Sequence, residues 1–394
     1  MSRPGSSFLP AAGGVLPRQV LRAAHQHGVI AVPGGGSIPE GSFQPASIDL
    51  RIGDVAYRLQ CSFLPGDETV EEKLRDYAMD RVDLRGGAVL ETNRPYLIPL
   101  VEELALPDNM RARTNPKSST GRVDIFTRVV TDRSHRFDEI RPGYRGRLYL
   151  EVFTRSFTVR VEPGLSLNQI RMLSDEAGHE DLRMRRVHQR TPILFRDGEA
   201  VPDEEMEMDR GVFLSVDLAP EEGGRGREAP VVGYKAKLDA PLLDLSSTTN
   251  DPAEFWEPIW RDRGRLVLNR EQFYLLRSKE RVRIPPHFAA EMVAYDPTSG
   301  ELRTHYAGFF DPGFGYSETG RLKGTAAVLE VRAHDVSFVI EDGQKVCKLS
   351  FEQMAEPPDL LYGKETGSHY QGQRRMLSKH FAPFRGRPDP PVGE

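Results

Sequence analysis

Apolar and polar residues alternate in short runs along most of this chain, and Gly and Pro bound the runs. That is the period of half-buried strands rather than of long helices. Ser47-Ile48-Asp49-Leu50-Arg51-Ile52 predicts such a strand. Further strands are expected at Val29 to Val32, Ala88-Val89-Leu90, Tyr96 to Leu100, Thr154 to Val161 and Leu165 to Met172. Glu162-Pro163-Gly164 joins the last two as a turn, and Glu204 to Leu218 closes the front half. Helical spacing is confined to Pro17–Gly28, Thr69–Met79 and Pro252–Arg261. Trp256 and Trp260 sit four apart on the last of these and are assigned to packing. The run Gly34-Gly35-Gly36 opens no helix and gives little support to a phosphate cradle.

One strand stands apart. Ala327-Val328-Leu329-Glu330-Val331 is apolar except for a single acid. Neighbouring residues on a strand face opposite sides, so Val328 and Glu330 share a face while Leu329 and Val331 take the other. A carboxylate on such a strand must be paired, solvated in a pocket or raised in pKa.

The pattern also repeats. Pro95-Tyr96-Leu97 through Leu106-Pro107 is echoed by Phe273-Tyr274-Leu275 through Ile284-Pro285, and Asn115 to Arg122 by Asp296 to Arg303. Arg141-Pro142-Gly143-Tyr144 returns as Asp311-Pro312-Gly313-Phe314, and Tyr149-Leu150-Glu151-Val152 as Val328-Leu329-Glu330-Val331. Four blocks in one order, 170 to 181 residues apart, imply duplication of a mostly β unit. Repeat 1 is expected over residues 1–218, a linker over 219–231 and repeat 2 over 232–394, the stretch Pro220–Pro230 being acidic, glycine-rich and poor in apolar residues. Repeat 1 carries an insertion, Arg133 to Ile140, ahead of Arg141.

Composition narrows the function classes. A chain of 394 residues exceeds one ordinary core. Its net charge of −5, with acids and bases mixed, argues against a nucleic-acid partner. No apolar run is long enough to span a membrane, and Met1 to Gly14 lacks a signal-peptide pattern, so a cytoplasmic protein is expected. The two cysteines, Cys61 and Cys347, provide neither a disulfide framework nor a cysteine zinc site. His135, His188, His287 and His305 have no ligand-like spacing and read as surface or core.

Several of these blocks resemble the dCTP deaminase and dUTPase superfamily, and its deaminase branch most. Gln44-Pro45-Ala46-Ser47-Ile48-Asp49-Leu50-Arg51-Ile52-Gly53 resembles the family's N-terminal strand signature. Lys117-Ser118-Ser119-Thr120-Gly121-Arg122 resembles its triphosphate loop, and Ala307 to Phe314 followed by Val328-Leu329-Glu330 its sugar and catalytic segment. Gly367-Ser368-His369-Tyr370-Gln371-Gly372-Gln373 resembles its C-terminal lid. The likeness spans both halves and is nearest to the double-length bacterial form. It implies two tandem dUTPase-like distorted β-barrels with a few short helices, a mainly β fold.

The resemblance also implies a chemistry. Deaminating cytosine adds water at C4, protonates the ring nitrogen and expels ammonia. The usual zinc route needs H-x-E…P-C-x-x-C, and this chain has no C-x-x-C, so a carboxylate must relay the protons. Family likeness gives that role to Glu330 or Glu151, with Ser118 and Arg122 orienting the water. Lys117, Ser118, Ser119 and Arg122 are donors suited to a triphosphate, although an ordinary polar turn has the same composition.

In the family a site lies between two units. One full composite can be written from Lys117, Ser118, Ser119 and Arg122 with Asp311, Val328, Glu330, Tyr362, His369, Tyr370 and Gln373. The reciprocal set, Ser299 and Arg303 with Glu151, lacks a sugar acid and a lid and is expected to be degenerate. Whether the composite lies within a chain or between chains stays open. His369 stands where the family has a phosphate-binding Lys, and a neutral imidazole holds phosphate less tightly.

The implied activity is hydrolysis of dCTP to dUTP and ammonia, with Mg²⁺ carried on the triphosphate and no zinc. The implied partners are dCTP, dTTP as an effector, and further copies of the chain in trimer-like packing of repeats. A dUTP pyrophosphatase, a bifunctional deaminase-pyrophosphatase and a non-catalytic nucleotide-binding protein are the alternatives, the first two favoured by Tyr306 to Asp311, which also resembles the pyrophosphatase uracil hairpin.

Overall fold

Long strands with every second residue apolar pair so that one face becomes core. In a computed structural model this happens twice, in two units. The structure describes residues 8–174, 181–218, 231–294, 302–304, 308–317, 319, 322–363, 370 and 376–384. The first unit is built from the chain up to Ala177 with Leu242–Ser247 and Gln353–Leu360, and the second from the remainder.

In unit 1 the central pair is Pro95–Ala105 against Arg145–Thr154, antiparallel, with Leu97 opposite Glu151. Ile125–Val130 adds to the other edge of Arg145–Thr154, while Val55–Leu59 and Ala78–Asp83 extend the sheet on the other side. A second sheet runs Gly14–Val15, Asn168–Ser174, Met110–Pro116, Glu139–Ile140, and Ile48–Leu50 pairs with Asn168–Ser174. A third holds Ala88–Leu90, Val159–Val161 and Leu243–Asp244.

Unit 2 repeats the plan. Phe273–Val282 pairs antiparallel with Thr325–Ala333, and Leu275 lies opposite Glu330. The hydrogen bonds match position by position. Leu106 N–H donates to Tyr144 O and Ile284 N–H to Phe314 O, both at 2.8 Å. The hydroxyl of Tyr96 accepts from Glu91 N–H, and that of Tyr274 from Asn269 N–H. The repeats seen in sequence are therefore repeats of hydrogen-bonded structure. The expected mainly β fold of two dUTPase-like units with a few short helices is observed, with five α-helices among the described residues.

Three expectations change. Residues 181–218 do not close the first unit. Leu194–Arg196 pairs with Phe273–Val282 and Val212–Ser215 with Lys345–Gln353, so hydrogen bonding assigns the segment to unit 2. The helix Asp181–Arg190 there went unread in the sequence. Val159–Val161 and Asn168–Ser174 flank the expected turn but join different sheets, the first pairing with Ala88–Leu90 and the second with Met110–Pro116. Most of the expected linker lies outside the described residues.

The third change is at Pro252–Arg261. Helix survives only over Pro252–Phe255, capped by the Asp251 carboxylate, and Trp256–Trp260 is a strand paired with Val231–Ala236. Pro258 cannot donate within a helix, and edge pairing satisfies the neighbouring backbone instead. Trp256 is buried against Phe273 and Phe381, both with ring centroids at 6.1 Å, which bears out its packing role. Elsewhere the helices follow their caps: Thr69 and Glu72 form a capping box at the start of Val70–Tyr77. Among the described residues no helix is long and apolar enough to cross a membrane.

Replacing Trp256 by Ala should remove about 3–5 kcal/mol from unit 2, read as a lower urea midpoint for its unfolding with secondary structure unchanged before the transition.

Candidate functional site

The expected site residues fall into two groups, one in each unit. In unit 1 the loop after Met110–Pro116 folds as a single helical turn, Ser118–Gly121, with Lys117 at its N-cap position. Ser119, Thr120 and Arg122 are buried and Ser118 is half-buried. The Lys117 ammonium pairs with the Asp49 carboxylate. Asp49 lies on Ile48–Leu50, all three residues of which are buried, where a half-buried strand had been expected. Two motifs far apart in sequence thus meet in one ion pair. Lys117 N–H also donates to Leu167 O at 3.1 Å, tying the loop to the adjoining sheet.

Glu151 occupies a different environment. It is 2% exposed, and Arg128 lies directly opposite on Ile125–Val130. Arg128 Nε donates to its Oε1 at 3.1 Å, with Nη2 on the same oxygen. The insertion completes the enclosure. Phe137 packs in an apolar cluster with Tyr149, and its ring centroid lies 3.9 Å from the Arg128 guanidinium carbon. Asp138 follows with a positive φ of 61° that Asp tolerates better than most residues. Its Oδ1 accepts from Thr114 Oγ1 at 2.6 Å and from Val129 N–H at 2.8 Å. Burial of that carboxyl outweighs both hydrogen bonds and pushes its pKa up to about 7.

In unit 2, Thr325–Ala333 presents Thr325, Ala327, Leu329, Val331 and Ala333 to the core. The opposite face carries Val328 and the nearly buried Glu330, 7% exposed. Arg277 lies across from Val328 on the same face, and its guanidinium binds Asp217 at 2.7 Å. The sugar segment is close to the chain that follows. Tyr362 N–H donates to Pro312 O at 2.8 Å, and its ring lies 5.6 Å from that of Phe314. Gly313 has a φ of 99°, and a Cβ there would meet Tyr362 N at 2.7 Å, so the approach requires glycine. Asp311 is buried at the head of this turn, where its backbone carbonyl accepts from Phe314 N–H.

Tyr370 is described, and its hydroxyl accepts from Lys379 N–H at 3.3 Å. His369, Gln373 and Ser299 lie outside the described residues, as does the side chain of Arg303. His188 is a core histidine, its ring held between Val201 O and Ile193 N–H, as expected.

With this geometry in place, comparison with known proteins decides the family. A model of the 2'-deoxycytidine 5'-triphosphate deaminase (DCD) N-terminal domain matches residues 12–176, and one of the C-terminal domain matches residues 180–381. The chain belongs to the dCTP deaminase family.

A solved dCTP deaminase from Agrobacterium tumefaciens is 41% identical, with a TM-score of 0.81 over 90% of this chain and 100% of that one. Curated relatives match over shorter stretches. The dCTP deaminase of Haloarcula marismortui is 27% identical over 135 residues, 34% of this chain and 66% of its own length. The dUMP-forming dCTP deaminase of Corynebacterium glutamicum (strain R) is 32% identical over 111 residues, 27% of this chain and 54% of its own length. The chain therefore spans about half to two thirds of the curated relatives it matches.

Within a dCTP deaminase framework, the residues missed by sequence reading are Asp49 as partner of Lys117, Arg128 as partner of Glu151, and Asp138. Only the Arg128 pairing left a trace, since a basic residue interrupts the apolar run Ile125–Val130.

Asp138 makes the stability of unit 1 pH-dependent. Its folded pKa of about 7 lies above the ordinary carboxylate value, so its contribution is complete below about pH 4 and is lost as pH rises to about 7. Asp138→Asn should flatten that slope in urea titrations, by roughly 3–4 kcal/mol at its extreme. Arg128→Ala, which strands a buried carboxylate, should cost roughly 3–5 kcal/mol.

Proposed function

We propose that the chain hydrolyses dCTP to dUTP and ammonia, with Glu330 as its proton-relaying base. The observation that carries this reading is the place of Glu330, a buried acid on an otherwise apolar stretch of strand at the register that Glu151 holds in unit 1. Glu151 is locked onto Arg128 beneath an insertion. Glu330 lies on a strand face with Val328, in the unit that also holds Asp311 and Tyr362. At Glu151 the half-buried Arg128 guanidinium opposes proton uptake, which would leave that cation without its counter-charge.

In the proposed reaction Glu330 removes a proton from water as its oxygen bonds to C4. It passes that proton to the ring nitrogen, then takes the proton of the new C4 hydroxyl and gives it to the exocyclic amino group. The C4–N bond then breaks with release of ammonia, and a carbonyl remains at C4. Ser118 and Arg122 orient the water. Lys117 and Ser119 bind the triphosphate, which brings its own Mg²⁺, and the protein needs no zinc. Asp311 bonds the 3′-hydroxyl, Val328 lies against the base, and Tyr362, His369, Tyr370 and Gln373 close over the nucleotide. The Glu151 set is degenerate. The same family resemblance supports a homo-oligomer with trimer-like packing of repeats and dTTP as an effector.

A second reading keeps the deamination and adds pyrophosphate release, giving dUMP. It is favoured by curated relatives named dUMP-forming, among them that of Methanobrevibacter smithii, 28% identical over 134 residues.

Glu330→Gln should lower ammonia release from dCTP by about 10³-fold or more while leaving dCTP binding within a few-fold, whereas Glu151→Gln should leave turnover nearly intact. Full activity in Glu330→Gln would refute the assignment. Chromatography of labelled dCTP products separates the readings, dUTP for the first and dUMP with pyrophosphate for the second.

A further inference from the structure

The insertion in repeat 1 does more than cover Glu151. Together with Met110–Pro116 it lines a half-open cavity of about 380 Å³ in unit 1. Arg111, Arg113, Arg133, Arg136, Arg141 and His135 line it, against one carboxylate, Glu139. Arg111 and Arg113 are alternate residues of one strand and share a face. Arg133, Arg136 and Arg141 come from the insertion and the turn after it, all three exposed. Arg141 takes the place that Asp311 holds in repeat 2, so an acid in one copy has become a base in the other.

The rim is organised by its own bonds. Arg141 Nη1 donates to Arg133 O at 2.9 Å, and Arg136 Nη1 to the Glu139 carboxylate at 2.9 Å. Five guanidiniums line the space and Glu139 is the one carboxylate among the lining residues, while the chain as a whole is acidic, at −5. Such a concentration of positive charge in a concave space is relieved by an anion of several charges. Guanidinium forks match phosphate oxygens two at a time, and the cavity is within the range that holds small ligands. No Phe, Tyr or Trp lines it, so the guanidinium forks carry the recognition.

We propose that this cavity is a second anion site, one that takes a polyphosphate chain, free or as the triphosphate of a nucleotide. It recognises the phosphates and not the base. Its ligand joins the insertion to Met110–Pro116 and so holds Phe137 and Asp138 against Arg128. The site is separate from the loop at Lys117, and binding to it needs no turnover.

The test is titration calorimetry on the full chain in about 0.1 M salt, with inorganic tripolyphosphate, dTTP and orthophosphate as probes. The double variant Arg136→Ala/Arg141→Ala should bind one tripolyphosphate fewer per chain than wild type, with kcat and KM for dCTP changed less than twofold. Tripolyphosphate and dTTP should bind this site with similar affinity, and orthophosphate at least tenfold more weakly. Arg133→Gln, a milder change, should weaken the same site several-fold with the unfolding midpoint unchanged in the absence of anion. Equal stoichiometry in wild type and the double variant would overturn the proposal. So would an Arg136- and Arg141-dependent site that takes only dTTP, or only a single-stranded oligonucleotide.

Discussion

A carboxylate in the middle of a strand buried on its other face is the constraint on which both units depend. The strand must be apolar to hold the sheet to its core, and the acid then has little water to share. Glu151 and Glu330 stand at the same register, opposite Leu97 and Leu275, so pairing of the central strands delivers both acids to equivalent positions. The fold fixes the place of the acid, and the neighbours set what it does. In unit 1 Arg128 across the ladder converts it to an ion pair, and Phe137 covers the cation. In unit 2 the acid shares its face with Val328, near a strand whose Arg277 is bound to Asp217.

The same logic extends to the loops. Lys117 is a natural phosphate ligand by charge, yet in this structure its ammonium rests on Asp49. That pair ties the loop to the strand Ile48–Leu50, with each charge satisfied by the other. Tyr362 is bonded to Pro312 across a turn that needs Gly313, which places Tyr362 beside the segment that begins at Asp311. The two units therefore share their central strand pair and differ in the contacts around it. Repeat 1 has the extra segment Arg133 to Ile140 and an arginine at 141 where repeat 2 has Asp311, and both differences meet at one cationic cavity.

Much of this was legible in the residues. Alternation located most strands, and block repetition predicted the matched hydrogen bonds of Leu106 with Tyr144 and Ile284 with Phe314. Helix spacing misled at Trp256–Trp260, because an i, i+4 pair also lies on one face of a strand and only the partner Val231–Ala236 decides between them. The turn at Glu162-Pro163-Gly164 was correct as a turn and wrong as a hairpin, since turn chemistry does not say which strand supplies the next hydrogen bond.

The chain's own order of residues determined the mainly β class, the duplication, the loop at Lys117–Arg122 and the single acid of each central strand. These rest on local preference and spacing, which are properties of neighbours in sequence. Tertiary structure alone decided that residues 181–218 belong with the second unit, that Asp49 meets Lys117, that Arg128 pairs with Glu151 and that five arginines line one cavity. Each of those depends on which strands lie side by side, and pairing across tens of residues is set by the burial of whole sheets and not by any short stretch.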